Sequence, residues 1–281
     1  MNPEPVCFEA PELSRDIAAR FVEARLSARA LPDYPGPLPA GLDAAYARQD
    51  AAIARWPDRL AGWKVGRIPD VWIERLGEDR LMGPIFARQC RYLGVDESAE
   101  LRVIEGGFAA VEAEYVFVLG ADAEVGRTDH DPESAASVVA ELRVGIELAG
   151  SPLATINMLG PAVVVSDFGN NAGVFLGPVI EGWRSGDWSR YTCATWVEDT
   201  LAGRGGALHL PGGPLAALAF ALNRGARRGR PLKAGMIVST GAATGIHDIR
   251  AGQQARLVFD GIAELRAHAV PALPHALGAT P

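Results

Sequence analysis

The chain has 281 residues, of which 48% are hydrophobic and 22% charged, a composition typical of a globular protein with an ordinary core. Its 32 glycines and 20 prolines favour many turns and a β-rich core over a helical bundle. The net charge of -7 and the lack of a basic run argue against a nucleic-acid partner, and no apolar stretch approaches the ~20 residues of a membrane span.

Two features of the sequence bear on the cellular compartment. The first eleven residues include Glu4 and Glu9 and lack a basic start followed by an apolar run, so they do not resemble a secretory signal. Three cysteines, Cys7, Cys90 and Cys193, are too widely spaced for a disulfide framework or a zinc motif. We therefore expect a cytoplasmic protein.

Two amphipathic helices are predicted at the start of the chain, over residues 13–30 and 42–53, and the proline-rich segment 31–39 predicts an extended connection between them. Two later helices are predicted, one starting at Asp131-Pro132 and one running from Gly213-Pro214 to about Arg228. Short apolar runs punctuated by glycine predict strands at 63–65, 110–119, 144–149, 162–166, 174–180, 191–197, 236–239 and 255–259. We predict a mixed α/β (α+β) protein.

Lysine is unusually scarce, because 25 of the 27 basic residues are arginine and only Lys64 and Lys233 are lysine. An ammonium group can be tuned by burial to take part in proton transfer, whereas a guanidinium group stays charged. We interpret Lys233, which lies in a loop, as a surface residue. Lys64, between a tryptophan and a valine in a predicted strand, is the candidate functional lysine.

Three glutamates are candidates for a metal site. Glu112 and Glu114 lie two residues apart in a predicted strand and therefore share one face with apolar neighbours. Such a pair by itself more often faces solvent, but Glu147 lies in a second apolar strand, and buried carboxylates must be protonated or bind a cation. Three oxygen ligands suit Mg2+ or Mn2+ and leave room for a chelating substrate, whereas zinc prefers nitrogen and sulfur.

Together with two polar loops, these segments resemble the 2-keto-4-pentenoate hydratases of the fumarylacetoacetate hydrolase superfamily. The resemblance spans residues 42–270. It rests on an ordered set of motifs: Gly-Trp-Lys-Val-Gly at 62–66, Val-Glu-Ala-Glu at 111–114, Gly-Ile-Glu at 145–147, and Ala-Gly-Met-Ile-Val-Ser-Thr-Gly at 234–241 followed by Ala-Ala-Thr-Gly. It implies a β-roll catalytic core, residues 61–281, preceded by a helical and α/β N-terminal portion, residues 1–60, in one continuous domain that forms a homo-oligomer.

The resemblance also implies roles for individual residues. One departure from the family pattern is that many relatives have Asp-Asn-Ala-Ser where this chain has Asp-Phe-Gly-Asn at 167–170. The 239–245 loop offers backbone N–H groups and threonine hydroxyls to an anion, although such a loop by itself is more often a structural turn. The implied residues are Glu112, Glu114 and Glu147 for Mg2+ or Mn2+, Lys64 with Asp79 as its acidic partner for catalysis, and Asp167, Asn170, Thr240 and Thr244 for substrate.

The implied activity is that of a hydro-lyase that adds water to a 2-hydroxy-2,4-dienoate and yields a 4-hydroxy-2-oxo acid in aromatic-compound catabolism. Three alternatives stay open. A 4-oxalocrotonate-type decarboxylase would use the same metal site. An acylpyruvate C–C hydrolase is less favoured, since it needs a water-activating His-Glu pair on a lid and none is predicted. A non-catalytic, metal-stabilised binding protein on the same fold would not explain the retained Lys64.

Overall fold

The computed structural model describes residues 11–94, 96–184 and 187–275. Within them the chain forms helices and strands in an irregular alternation. The helices are α1 (Pro11–Leu26), α2 (Leu42–Arg55), α3 (Asp70–Leu76), α4 (Pro132–Ala136), α5 (Pro161–Ser166) and α6 (Gly213–Arg227). The strands are β1 (Leu60–Arg67), β2 (Arg80–Phe86), β3 (Cys90–Tyr92), β4 (Ser98–Val103), β5 (Phe108–Leu119), β6 (Val139–Ser151), β7 (Asn171–Val179), β8 (Thr192–Val197), β9 (Thr200–Gly206), β10 (Ile237–Ser239), β11 (His247–Asp248), β12 (Gln254–Phe259) and β13 (Ala263–Pro271).

The strands are arranged in two sheets. The larger sheet has the order β2-β1-β10-β5-β6-β7-β3, with β11 paired to β5, and the smaller has the order β4-β13-β12-β8-β9. Strands β5 and β6 pair antiparallel along almost their whole length at the centre of the larger sheet, and β1 pairs parallel to β10. This architecture confirms the predicted mixed α+β fold class.

The N-terminal helices pack onto this β-structure. Ile17 and Phe21 of α1 and Tyr46 of α2 belong to the same buried cluster as Trp63 of β1 and Leu81 of β2. Burial of these apolar side chains is what attaches the helices to the sheet. A division at residue 60 stays a prediction. None of the described helices is long and apolar enough to cross a membrane.

One predicted strand is wrong. Residues 162–166 are helical and form most of α5, whose three valines are buried. Gly160, with a φ of 100°, and Pro161 at the first helical position start the helix, and tertiary packing outweighs the strand preference of valine. The helix predicted at Asp131 is confirmed, since the Asp131 side chain caps α4 by accepting a hydrogen bond from the Ser134 backbone N–H.

The segment after α5 has an uncommon backbone conformation. Phe168, Gly169 and Asn170 have φ values of 55°, 61° and 56° in succession, which is the left-handed region. Their turn packs directly on the backbone of β2 at Gly83, where an added Cβ would lie 2.0 Å from the Phe168 carbonyl oxygen. Gly83 is therefore required so that the turn can approach the strand.

We expect Gly83→Ala to destabilise the protein, because the new methyl group must displace the backbone of the turn. Overpacking of this kind costs about 1–3 kcal/mol, which lowers the midpoint of urea unfolding. Gly41→Ala is the comparison variant, because a Cβ at Gly41 meets nothing within 4 Å and only the lower preference for alanine at the N-cap of α2 acts there. Equal midpoints for the two variants would contradict this reading of Gly83.

Candidate metal centre and active-site cavity

Strand register brings the three predicted glutamates together. Glu112 of β5 lies directly opposite Glu147 of β6, and Glu114 follows two residues later on the same face. One carboxylate oxygen of each lies within 4.8 Å of those of the other two. Glu114 and Glu147 are fully buried and Glu112 is only 3% exposed. The sheet therefore concentrates three carboxylates in the interior of the protein.

Their hydrogen bonding leaves part of each carboxylate unsatisfied. The Gly241 N–H donates to Glu114 Oε2 at 2.7 Å, and Asn171 Nδ2 donates to Glu147 Oε1 at 3.0 Å. Glu112 Oε1, Glu114 Oε1 and Glu147 Oε2 are buried and accept no hydrogen bond from any described residue. Buried unpaired oxygens are costly unless they take up a proton or a cation. Hard oxygen donors of this kind fit a divalent cation such as Mg2+ or Mn2+.

Burial changes the acid strength of these groups. Burial raises the pKa of Glu112 to about 7, although the Lys64 ammonium lowers it and Glu147 raises it further. Burial also raises the pKa of Glu114 well above its ordinary value, with repulsion from Glu147 and Glu112 in the same direction. In the absence of a cation, protons thus partly neutralise the cluster near neutral pH.

A pH dependence of stability follows. Both pKa values lie above the ordinary value of 4.5, so the folded protein binds these protons more tightly than the unfolded chain does. The contribution of Glu112 is complete below about pH 4.5 and is lost as the pH rises through about 7. Between about pH 5 and about pH 8, we expect the melting temperature of the metal-free wild type to fall relative to that of metal-free Glu112→Gln. Stabilisation by added Mg2+ should grow over the same range, because carboxylates bind metal when deprotonated.

Differential scanning fluorimetry with a chelator and with Mg2+ measures both trends. If wild type and Glu112→Gln have the same pH profile without metal, the raised pKa of Glu112 is contradicted.

Lys64 extends from β1 toward the same cluster. Its Nζ donates to Asn170 Oδ1 at 2.9 Å and lies 3.2 Å from Glu147 Oε1. Burial lowers the pKa of Lys64, but attraction to the three carboxylates outweighs it, and the net shift is upward. The side chain is therefore a buried ammonium. Lys233, in contrast, forms an exposed ion pair with Asp122, as expected of a surface residue.

A cavity of about 470 Å³ opens beside Lys64 and Glu112. Its walls combine apolar and charged side chains, and the loop after β10 forms one side. The lining includes Trp72, Leu81, Phe108, Val164, Leu210 and Ile246 as apolar residues, and Lys64, Arg67, Arg80, Glu112, Asn157, Asn170, His209, Thr240 and Asp248 as polar ones. An apolar lining with a few polar and charged groups suits a small organic ligand.

The other predicted site residues divide into two groups. Asn170 and Thr240 line the cavity, whereas Asp79, Asp167 and Thr244 are not among its lining residues. Asp79 follows α3 as expected, but its side chain is 48% exposed and pairs with Arg80 at 2.6 Å. The partner that the structure gives Lys64 is Glu147 instead.

Asp167 and Thr244 form contacts within the protein. Both carboxylate oxygens of Asp167 accept hydrogen bonds, from Arg25 Nε at 2.5 Å and from Ser151 Oγ at 2.6 Å. The Thr244 hydroxyl lies 2.8 Å from the Thr195 hydroxyl and 3.1 Å from a ring nitrogen of His247. These contacts hold the segment after α5 and the loop after β10 against neighbouring parts of the protein.

A histidine and a glutamate do stand three residues apart, at His130 and Glu133. They flank the start of α4, and neither lines the cavity. The His130 backbone is tied to the Asn223 side chain of α6. This pair does not supply a base to the cavity.

Sequence reasoning missed Arg25 and Asn171. Arg25 occupies the apolar face of α1, at helical spacing from Ile17 and Phe21, and an arginine there is a signal of a buried partner. Its partner is Asp167, 142 residues later in the chain. Asn171 follows the left-handed turn and contacts Glu147, which no local sequence pattern indicates.

The fold of the chain is similar to that of several solved structures, among them a putative fumarylacetoacetate hydrolase family protein from Yersinia pestis, which is 13% identical over 76% of this chain and 95% of that chain with a TM-score of 0.53. The 4-oxalocrotonate decarboxylase from Pseudomonas putida G7, complexed with magnesium and adipate, is 18% identical, with 93% of this chain and 99% of that chain covered at a TM-score of 0.78. The fumarylpyruvate hydrolase from Pseudomonas aeruginosa, in complex with Mn2+ and pyruvate, is 18% identical over 76% of this chain and 91% of that chain, with a TM-score of 0.55.

At this identity the similarity establishes the fold of the chain. No protein-family model and no curated protein matches the sequence.

Proposed function

We propose that this chain is a divalent-metal-dependent hydratase that converts a 2-hydroxy-2,4-dienoate into a 4-hydroxy-2-oxo acid, as in the catabolism of aromatic compounds. The observation that carries the proposal is the cluster of three buried carboxylates with unpaired oxygens, beside a buried lysine and a cavity. A structural scaffold would gain nothing from this arrangement, since burying unpaired carboxylates costs stability.

The residues proposed to hold Mg2+ or Mn2+ are Glu112, Glu114 and Glu147. The solved structures of similar fold that contain magnesium or Mn2+ support the choice of metal. The bound cation would supply Lewis-acid stabilisation of negative charge on the 2-oxygen of a 2-oxo acid.

The side chains around the cavity suit an acidic substrate. Three cations, Lys64, Arg67 and Arg80, line the cavity together with two acids, Glu112 and Asp248, and a divalent cation at the glutamates would make the lining more positive. The Thr240 hydroxyl donates to the Tyr115 carbonyl at 2.7 Å, so its oxygen can still accept a hydrogen bond from substrate. We propose that Asn170 and Thr240 contact the substrate. Apolar walls exclude water from the reacting carbons, apart from the molecule that is added.

The reaction needs protons at two carbons. A 2-hydroxydienoate becomes an enone when C5 is protonated and the 2-hydroxyl proton is lost, after which water adds at C4 and C3 is protonated. We assign Lys64 Nζ as the proton donor, because the carboxylates hold it as an ammonium at the edge of the cavity. Asp79 stays a proposed second participant, from its position beside the cavity-lining Arg80. Activity of Asp79→Asn tests it.

A second candidate is a decarboxylase that releases CO2 from a 2-oxo dioate. The 4-oxalocrotonate decarboxylase of similar fold covers 93% of this chain at a TM-score of 0.78, which favours this candidate over a C–C hydrolase. Both lyase reactions need a stabilised charge on the 2-oxygen and a proton donor, so the same residues serve either.

Ultraviolet absorbance distinguishes the candidates. With Mg2+, we expect 2-hydroxypenta-2,4-dienoate to lose its conjugated absorbance and to give a product heavier by one water, and a chelator to abolish the change. Release of CO2 from 4-oxalocrotonate without hydration of the monoacid would assign the decarboxylase. Binding without turnover of either acid would leave a binding protein and contradict both enzymes. Glu114→Gln serves as the control for contaminating activity.

The proposal includes a homo-oligomer and a cytoplasmic location. Cys90 and Cys193 are unpaired, which is consistent with a reducing compartment. Light scattering coupled to size-exclusion chromatography tests the subunit number.

A further inference from the structure

Two asparagines at the end of the left-handed turn, residues 168–170, contact the metal centre and its lysine. Asn170, its last residue, accepts a hydrogen bond from Lys64 Nζ at 2.9 Å, and Asn171 donates to Glu147 Oε1 at 3.0 Å. Left-handed backbone at non-glycine residues persists only where the surrounding structure imposes it. Something must therefore hold this turn in place.

The guanidinium group of Arg25 contacts the chain on both sides of the turn. Its Nε and Nη2 donate to the two carboxylate oxygens of Asp167, at 2.5 and 3.0 Å, just before the turn. Its Nη1 donates to the Asn171 carbonyl at 3.1 Å, just after the turn, and Nη2 also reaches the Gly150 carbonyl of β6 at 2.8 Å. One planar group thus fixes both ends of the turn to the strand that carries Glu147.

Fold stability alone does not account for this arrangement. Arg25 and Asp167 are both buried, and a buried ion pair is often no more stable than apolar side chains of similar size. The contacts depend on the forked geometry of the guanidinium group, because the single ammonium group of lysine cannot reach acceptors both before and after the turn. The Arg25 guanidinium also lies 5.1 Å from the centre of the Phe168 ring, within the turn.

We propose that Arg25 is a positioning residue for the metal centre. It acts through the turn, setting Asn171 against Glu147 and Asn170 against Lys64, although it touches neither the glutamates nor the cavity beside them. The N-terminal helix α1 is then part of the site rather than an appendage to it. The proposal rests on the proposed function only in that the three glutamates bind a divalent cation.

The test measures Mn2+ affinity by calorimetry, independently of any reaction. Loss of an outer-shell partner typically weakens metal binding about 10- to 100-fold, and we expect Arg25→Ala to weaken Mn2+ binding by about tenfold. Millimolar guanidinium ion should restore it. The Arg25 side chain borders a second cavity, of about 500 Å³, whose lining includes the exposed Arg88 and His275, so the ion can enter from solvent.

Two further variants are compared with Arg25→Ala for Mn2+ affinity. Arg228→Ala removes another arginine, whose side chain is 8% exposed, pairs with Asp50, packs over Tyr46 and Trp63 and does not contact the turn. It should lower stability, keep wild-type Mn2+ affinity and show no response to guanidinium. Arg25→Lys retains the charge and should still bind Mn2+ weakly. If Arg25→Ala does not fold, Arg25→Lys decides, and wild-type affinity in that variant overturns the proposal.

The results distinguish a failure of the proposed metal site from a failure of the role of Arg25 alone. If the wild-type protein binds no Mn2+, the proposed metal site fails and the role of Arg25 fails with it. If the wild type binds Mn2+ and folded Arg25→Ala binds it equally well, only the role of Arg25 fails. A loss in Arg25→Ala that guanidinium does not reverse, and that Arg228→Ala matches, shows a general effect of destabilisation and also overturns the proposal.

Discussion

Glu114→Gln is expected to abolish metal-dependent activity and leave the protein folded. The amide keeps an acceptor for the Gly241 N–H, which now donates to Glu114 Oε2, but removes one of the three negative charges. Metal affinity should fall by more than the roughly 10- to 100-fold typical of losing an outer-shell partner. Without metal, the variant should melt above the wild type, because the raised pKa of Glu114 shows that its charged form is unfavourable there. Glu114→Ala should also lose activity.

Calorimetry with Mn2+ and the ultraviolet assay measure both effects. Glu141→Gln, on the same strand as Glu147 but partly exposed and paired with Arg143, is the matched control and should behave as wild type. Full activity in Glu114→Gln or Glu114→Ala, or wild-type activity after exhaustive chelation, would remove Glu114 from the metal site.

Lys64→Arg is expected to lower turnover at least about a hundredfold, since general acid-base assistance is worth about two to four decades of rate. Lys64 Nζ contacts Asn170 Oδ1 and Glu147 Oε1, and the larger planar guanidinium group cannot keep both contacts in the geometry of a compact ammonium. A guanidinium group also cannot give up a proton to substrate. Mn2+ affinity should change little, because the positive charge beside the glutamates is kept.

Lys233→Arg provides the matched control, since Lys233 is the other lysine of the chain and its ion pair with Asp122 is exposed. Exposed ion pairs of this kind contribute little to stability, so this variant should keep wild-type turnover. Near wild-type turnover in Lys64→Arg would show that a positive charge is sufficient at this position. The proton-transfer role of Lys64 would then have to be abandoned.

The sequence by itself determined the parts of the site that depend on strand geometry and residue usage. Alternation along a strand puts Glu112 and Glu114 on one face whatever the rest of the fold, because successive side chains point to opposite sides. Scarcity of lysine identified Lys64 as the lysine to examine, and the motif order identified the superfamily fold. These inferences need only local geometry or the chain order of short segments.

Only the tertiary structure decided which residues meet across long distances in the chain. It placed Glu147 opposite Glu112 through the register of β5 and β6, and it paired Lys64 with Glu147 rather than with Asp79. It also paired Asp167 with Arg25, 142 residues away. Residues 162–166 are helical despite their valines. The physical reason is common to all of these. A buried charge takes whichever partner packing brings within hydrogen-bonding distance, and burial against the core outweighs local propensity.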